Sequence, residues 1–481
     1  MIPEWVKQYQ PPKTEVRDMK GKYYVYEVSS KRDKTKGRAK KITGKLLGKI
    51  TSEGFIESNK RKLEKQALSD HIEYRISSKE YGSYYAAKKL LGKEIEELKN
   101  IFPDEYQEIF VLSYLRFFHN ITIKNTPYYL EHSFASEEMK VKLTEKTTST
   151  LYEKLGKSRE KIIKFKQTFN KGKDFLAIDM TNIISESKKI GCNQIGYNSK
   201  REYKPQINFL CIFSNSINEP LYYRLLDGNI REVRSFKLSL IESGIKDAVI
   251  ITDKGFYSNK NIQFMEEEGL NYIIPLRRNN SLISESLLAK KQTEVFNNYF
   301  IYQGRAIWYC QYQKEGKEII LFLDKTLKTE EENDYIMRIE SHPEDYSIEG
   351  YKEKENKFGI LGFTHNIKEM KPQEIYLNYK TRNNVELFFD GFKNIIEADQ
   401  TYMQNKDTLE GWMFVNFIAM RIYYKLLNLL KSKELLTKYS PKDISIRLNG
   451  IFKLRINQAW YLSEINTKVE SLLNSIDLCI T

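Results

Sequence analysis

The sequence predicts an α/β fold: a core built on a mixed sheet, interrupted by a β-rich insertion and flanked by helical N-terminal and C-terminal regions. Two observations carry this reading. Between about Phe175 and Leu276, short apolar runs of strand length alternate with helical periodicity. The pattern then turns β-rich from about 280 to 370, and helical periodicity resumes at Asn383. At 481 residues the chain is long enough for several domains with buried cores.

Taken in order, residues 1–60 hold a β-like run, Tyr23 to Val28, followed by a dense basic segment. That segment contains Lys31, Arg32, Lys34, Lys36, Arg38, Lys40, Lys41, Lys45 and Lys49, opposed only by Asp33. Gly37, Gly44 and Gly48 divide it, so hairpins are expected in place of a helix. Such a hairpin suits contact with a DNA backbone through Lys31, Arg32, Lys40 and Lys41; a solvated basic loop is the alternative. Residues 61–170 are helical in pattern and read as a DNA-binding region, with no cue that fixes a recognition helix.

Residues 171–280 give strands at 175–179, 207–214, 221–226, 248–253 and 272–276, with helices at 233–243 and 259–268. Three strands, then helix, strand, helix and strand, make a mixed sheet. Residues 281–372 form the β-rich insertion, with strands at 299–302, 306–312 and 319–323. Residues 373–435 return to helices, with a break expected at Gly411, and 436–481 form a helical tail.

Composition narrows the partner. Lys and Arg number 78 against 64 Asp and Glu, a net charge of +14, which favours nucleic acid first and an anionic membrane surface second. The apolar window from Trp412 to Leu430 contains Asn416, Arg421, Lys425 and Asn428, so it reads as a buried amphipathic helix and no membrane is expected. Cys192, Cys211, Cys310 and Cys479 are scattered, and the N-terminus lacks a signal-peptide layout; a cytoplasmic, nucleoid-associated protein is expected.

Three acids stand out. Asp179 and Asp253 each close an apolar strand, where sheets expose ligand-binding side chains; alone, either is as readily a turn or cap residue. Tyr379, Arg382, Glu386 and Lys393 recur at helical steps, which predicts one helix face carrying a carboxylate among two cations and a phenol. A solvated mixed-charge face competes with a site that holds a metal beside phosphate. Mg2+ takes oxygen ligands, and a pair of metals can serve phosphoryl transfer.

These residues carry a family resemblance. The order Asp179, Asp253, Glu386 resembles the DDE triad of RNase H-like transposases and integrases. The spacing Tyr379-x2-Arg382-x3-Glu386-x6-Lys393 is similar to the Y-R-E-K signature of insertion-sequence-four-like transposases. Ile178-Asp179-Met-Thr181-Asn182, Gly228-Asn229, Thr252-Asp253-Lys-Gly255-Phe256 and Gly411-Trp412-x-Phe414 also resemble that group, over about residues 170–430. The resemblance implies an RNase H-like core and cleavage and strand transfer of double-stranded DNA, at transposon ends and target. It implies two Mg2+ ions, Mn2+ substituting, on Asp179, Asp253 and Glu386. Tyr379, Arg382 and Lys393 would hold phosphates, and a homodimer would pair the ends. In relatives an aromatic of the insertion stacks on a flipped base, which makes Trp308 a candidate against the alternative of a core strand Trp. A nuclease with the same triad but no strand transfer, and a non-catalytic DNA-binding relic, are the competing functions.

Overall fold

The computed structural model describes residues 2–32, 39–59, 76–170, 172–197, 203–229, 232–288 and 292–480. The chain divides into two units, Met1–Ser78 with Leu454–Tyr461, and Lys79–Lys453 with Leu462–Thr481. In the first, β1 (Thr14–Met19), β2 (Lys22–Arg32), β3 (Ala39–Thr51) and β4 (Gly54–Glu57) form an antiparallel sheet in that order. Val6, Val16, Val25 and Ile50 supply its small core. Gly48 is required there, because a Cβ would stand 2.2 Å from the Ile56 carbonyl. The register sets Lys31 opposite Lys40 and Ser30 opposite Lys41, so basic positions occur on both strands of the hairpin. Lys34, Lys36 and Arg38 lie outside the described residues.

After β5 (Ser77–Glu80), the second unit carries, among the described residues, an 11-stranded mixed sheet. Its strands are β6 (Phe175–Ser185), β7 (Gln194–Tyr197), β8 (Tyr203–Ser214), β9 (Glu219–Asp227), β10 (Val249–Thr252), β11 (Asn271–Leu276), β12 (Asn298–Tyr302), β13 (Arg305–Lys314), β14 (Lys317–Asp324), β15 (Ile360–His365) and β16 (Gln400–Thr401). The order is β12-β13-β14-β15-β11-β10-β6-β8-β7, with β9 on β8 and β16 on β6. Only β6, β10, β11 and β16 pair in parallel. The insertion therefore does more than interrupt the core: through β15, which lies between β14 and β11, its strands continue the same sheet.

One hydrophobic core joins the sheet to the helical residues before it. Phe165, Ile178, Phe209, Phe388 and Phe414 all belong to it. Its axis is the helix Lys406–Ser432, the described helix long and apolar enough to cross a membrane, with 72% of its apolar window buried inside the protein. The polar residues of this helix are internal ties. Asn416 Oδ1 accepts from Arg116 Nε at 2.8 Å, and Arg421 donates to Glu94 at 2.9 Å and to the Pro220 carbonyl at 2.7 Å.

Gly411 does not break this helix, contrary to the sequence expectation. A Cβ at Gly411 would lie 2.0 Å from the Tyr152 carbonyl, and one at Gly156 would lie 1.9 Å from the Asp407 carbonyl. Two backbones cross at this pair of glycines, and the missing side chains set the distance. Gly411→Ala is expected to cost about 3 kcal/mol, the upper end for overpacking, because the obstacle is backbone and cannot rotate away. Urea unfolding measures it; an unchanged midpoint would show that the crossing can relax.

Candidate active site

The site is laid out by strand register. β10 runs parallel to β6 with Thr252 opposite Ile178, so Asp179 and Asp253 are the next residues on neighbouring strands. Asp253 ends its strand and leads into the short turn Lys254–Phe256, as the sequence suggests. Asp179 does not end its strand: β6 continues to Ser185, held by β8 from Leu176 to Ile184. On the other side β10 stops at Thr252, and β16 pairs with β6 only from Ile184. Asp179 thus stands at a notch in the sheet.

The helix Asn383–Asn394 is fixed over this region by its apolar face. Val385, Phe388, Phe389 and Phe392 are buried, and Phe392 stacks on Phe209 of β8 at 4.8 Å. Tyr379, Arg382, Glu386 and Lys393 do not share one helix. Tyr379 is the last residue but one of the preceding helix, Pro372–Lys380, and Arg382 is the N-cap of the next. At the junction the Thr381 hydroxyl donates to the Asn378 carbonyl at 2.6 Å, and Arg382 N and Val385 N donate to the carbonyls three residues back. That tighter pattern separates the helices while keeping the backbone right-handed.

Arg382 gathers the acids. Its Nη1 lies 3.2 Å from Asp179 Oδ2, and its Nη2 donates to Glu386 Oε1. Burial opposes its charge, but Tyr379, Asp179, Glu386 and Asp253 together hold the guanidinium above its ordinary value. Burial, then the charge of Asp253, pushes the Tyr379 phenol up against the pull of Arg382. Tyr379 packs edge-on against Phe363 at 4.5 Å. Lys393 Nζ donates to Thr181 Oγ1 at 2.6 Å, two residues along β6 from Asp179.

Residues 170–422 match the transposase DDE domain family. The chain belongs to that family. It is a family of phosphoryl-transfer enzymes. Among curated proteins none matches the chain. Among solved structures, the piggyBac transposase synaptic complex with hairpin DNA is similar at 12% identity and a TM-score of 0.37. The match covers 58% of this chain and 52% of that one, about half its length.

Enzymes of this family generally act with divalent metal ions. Among the described residues of this chain, no cluster of three or more His, Cys, Asp or Glu side chains is arranged to hold one. Arg382 bridges Asp179 and Glu386 instead. The donors nevertheless suit Mg2+ or Mn2+: carboxylate oxygens, hard ligands, already drawn to one positive charge. Asp179, Asp253 and Glu386 are the residues that could hold the metal once the guanidinium gives way.

Other sequence candidates stand apart. Trp308 is half-buried on β13, four strands from β10, with Tyr299 at 5.2 Å and Lys325 Nζ 5.2 Å from its ring. Lys31, Arg32, Lys40 and Lys41 belong to the smaller unit. The sequence reading missed a cleft of about 530 Å³ beside Asp253 and Tyr379, lined also by Lys254, Arg277 and Arg278. Arg277 and Arg278 follow β11 directly, at the same strand end that singles out Asp253, and that placement is the signal that could have found them.

Replacing Arg382 by Gln removes the cation that competes for these acids. The free protein is then expected to bind Mn2+ about tenfold more tightly, a change of about 1.4 kcal/mol. Electron paramagnetic resonance titration without DNA reads it directly, and equal or weaker Mn2+ binding would contradict the competition.

Proposed function

We propose that this transposase cuts and rejoins double-stranded DNA at the terminal inverted repeats of an insertion sequence, by cut-and-paste transposition in the manner of the insertion-sequence-four-like group. The observation that supports the reading is the contact of Arg382 with both Asp179 and Glu386, with Asp253 at the end of the strand beside Asp179 and Lys393 bonded to Thr181. Two carboxylates drawn to one cation, with a third on the neighbouring strand end, suit a site for divalent metal, and the flanking cations suit phosphate.

In this reading Asp179, Asp253 and Glu386 hold two Mg2+ ions. Bound there, such ions would supply activation of a water or a 3′-hydroxyl and stabilisation of the leaving oxygen. Arg382 turns from the acids to a phosphate of the transposon-end strand, where its planar fork gives paired hydrogen bonds. Tyr379 supplies a phenol donor on the same side, and Lys393 a point charge. The net charge of +14 favours the approach of DNA. Two copies of the chain hold the two ends together for joining.

Asp179→Asn, Asp253→Asn and Glu386→Gln are each expected to slow Mg2+-dependent end cleavage on the order of 10⁴-fold, as loss of one member of a catalytic unit does. Binding to end DNA is expected to persist. The assay uses the inverted repeats that flank the coding region and follows both cleavage and joining of the 3′-hydroxyl end to a target duplex. Near-normal cleavage by any one variant would remove that residue from the triad. Hydrolysis without joined product would replace the transposition reading with a nuclease.

A further inference from the structure

The sheet edge that carries Asp253 continues into the insertion. Leu276 pairs with Gly362, Ile360 with Leu323, and Asp324 with Ile307. Asp253, Arg277, Asp324 and Arg305 therefore succeed one another along one edge. Three strand spacings of about 4.8 Å separate β10 from β14, roughly 14 Å.

Two cations, Arg305 and Lys380, and one acid, Asp324, stand at the far part of this edge. Arg305 Nη1 lies 3.2 Å from Asp324 Oδ2, and no acceptor among the described residues engages its other nitrogens. Lys380 places Nζ 5.1 Å from the centroid of the Tyr376 ring, and no carboxylate among the described residues forms an ion pair with it. Burial, and then the charges of Arg305 and Arg382, hold this ammonium below its ordinary value, with Asp324 only partly opposing. Tyr376 is fully buried, and its hydroxyl has no hydrogen-bond partner. Asp324 and Arg305 both act on that phenol.

Arg382 is paired with Asp179 and Glu386; among the described residues Arg305 is paired with Asp324 alone and Lys380 with no acid, and the two meet at Tyr376, whose ring lies 5.3 Å from Tyr302, the strand partner of Arg305. Cations held together and half desolvated are unfavourable unless an anion completes the group. We propose that Lys380 and Arg305 form a second phosphate-binding site, taking a backbone phosphate of the bound DNA strand away from the point of cleavage. The site rests on the reading of the chain as a DNA-cutting transposase. Arg305 offers its free guanidinium edge, Lys380 a point charge, and the Tyr376 hydroxyl lies behind them as a donor to a phosphate oxygen or an intervening water. Such contacts hold the strand in register and read no sequence.

The test measures binding of a mixed-sequence duplex across a salt series, for the full chain and for Lys380→Ala and Lys380→Arg. Lys380 holds no ion pair that folding needs, and thermal melting checks each variant. Lys380→Ala is expected to bind more weakly on every duplex and to lower the salt slope by about one, the loss of one phosphate contact. Lys380→Arg is expected to restore the slope. Single methylphosphonate substitutions along the strand should reveal a position that weakens the wild type and leaves Lys380→Ala unaffected. An unchanged slope, or the same methylphosphonate profile in both proteins, overturns the second site while leaving cleavage by the triad intact. Absence of DNA binding by the wild type itself overturns this site and the transposase reading together.

Discussion

Asp179 and Glu386 are drawn to one guanidinium, where two like charges would otherwise repel, and the arrangement around them answers that constraint. Two unit charges about 5 Å apart in a partly desolvated site repel by about 3 kcal/mol, a large share of the 5–15 kcal/mol that holds a typical domain together. Arg382 relieves the repulsion by contacting Asp179 and Glu386 at once. It can do so because Phe388, Phe389 and Phe392 seat the following helix on the sheet and the tight junction at Thr381 aims the guanidinium back at β6. Arg382 thus holds the two acids without a metal.

The scaffold behind the site is held by close backbone approach and buried ties. Gly411 and Gly156 let the central helix cross its neighbour, and Arg116 and Arg421 convert its polar positions into anchors. Breaking such a tie would leave a buried charge unpaired, which costs more than the tie contributes. Rigidity of this kind suits a site whose proposed ligands come from two strands and a helix far apart in sequence.

Much of this was legible in the sequence, and the exceptions share a cause. Asp253 and the spacing of Arg382, Glu386 and Lys393 were readable because local periodicity sets them. Asp179 was misread as a strand end because Met180, Thr181 and Asn182 are not an apolar run; only pairing with β8 extends the strand through them. β15 was missed because Gly362 and Thr364 interrupt its apolar pattern, while its order comes from β11 and β14 on either side. Gly411 looked like a helix break by propensity, and the Tyr152 carbonyl gives it another purpose. Lys380 and Arg305 lie far apart in the chain, and no local pattern joins them.

The central claim is that Asp179, Asp253 and Glu386 form one metal site which Arg382 keeps in balance. Anomalous scattering from crystals of the chain soaked in Mn2+ tests it most directly. The account requires manganese density among the three carboxylates, with the Arg382 guanidinium withdrawn from Asp179 and Glu386. Manganese bound elsewhere, with Arg382 still bridging the acids at saturating metal, would contradict it.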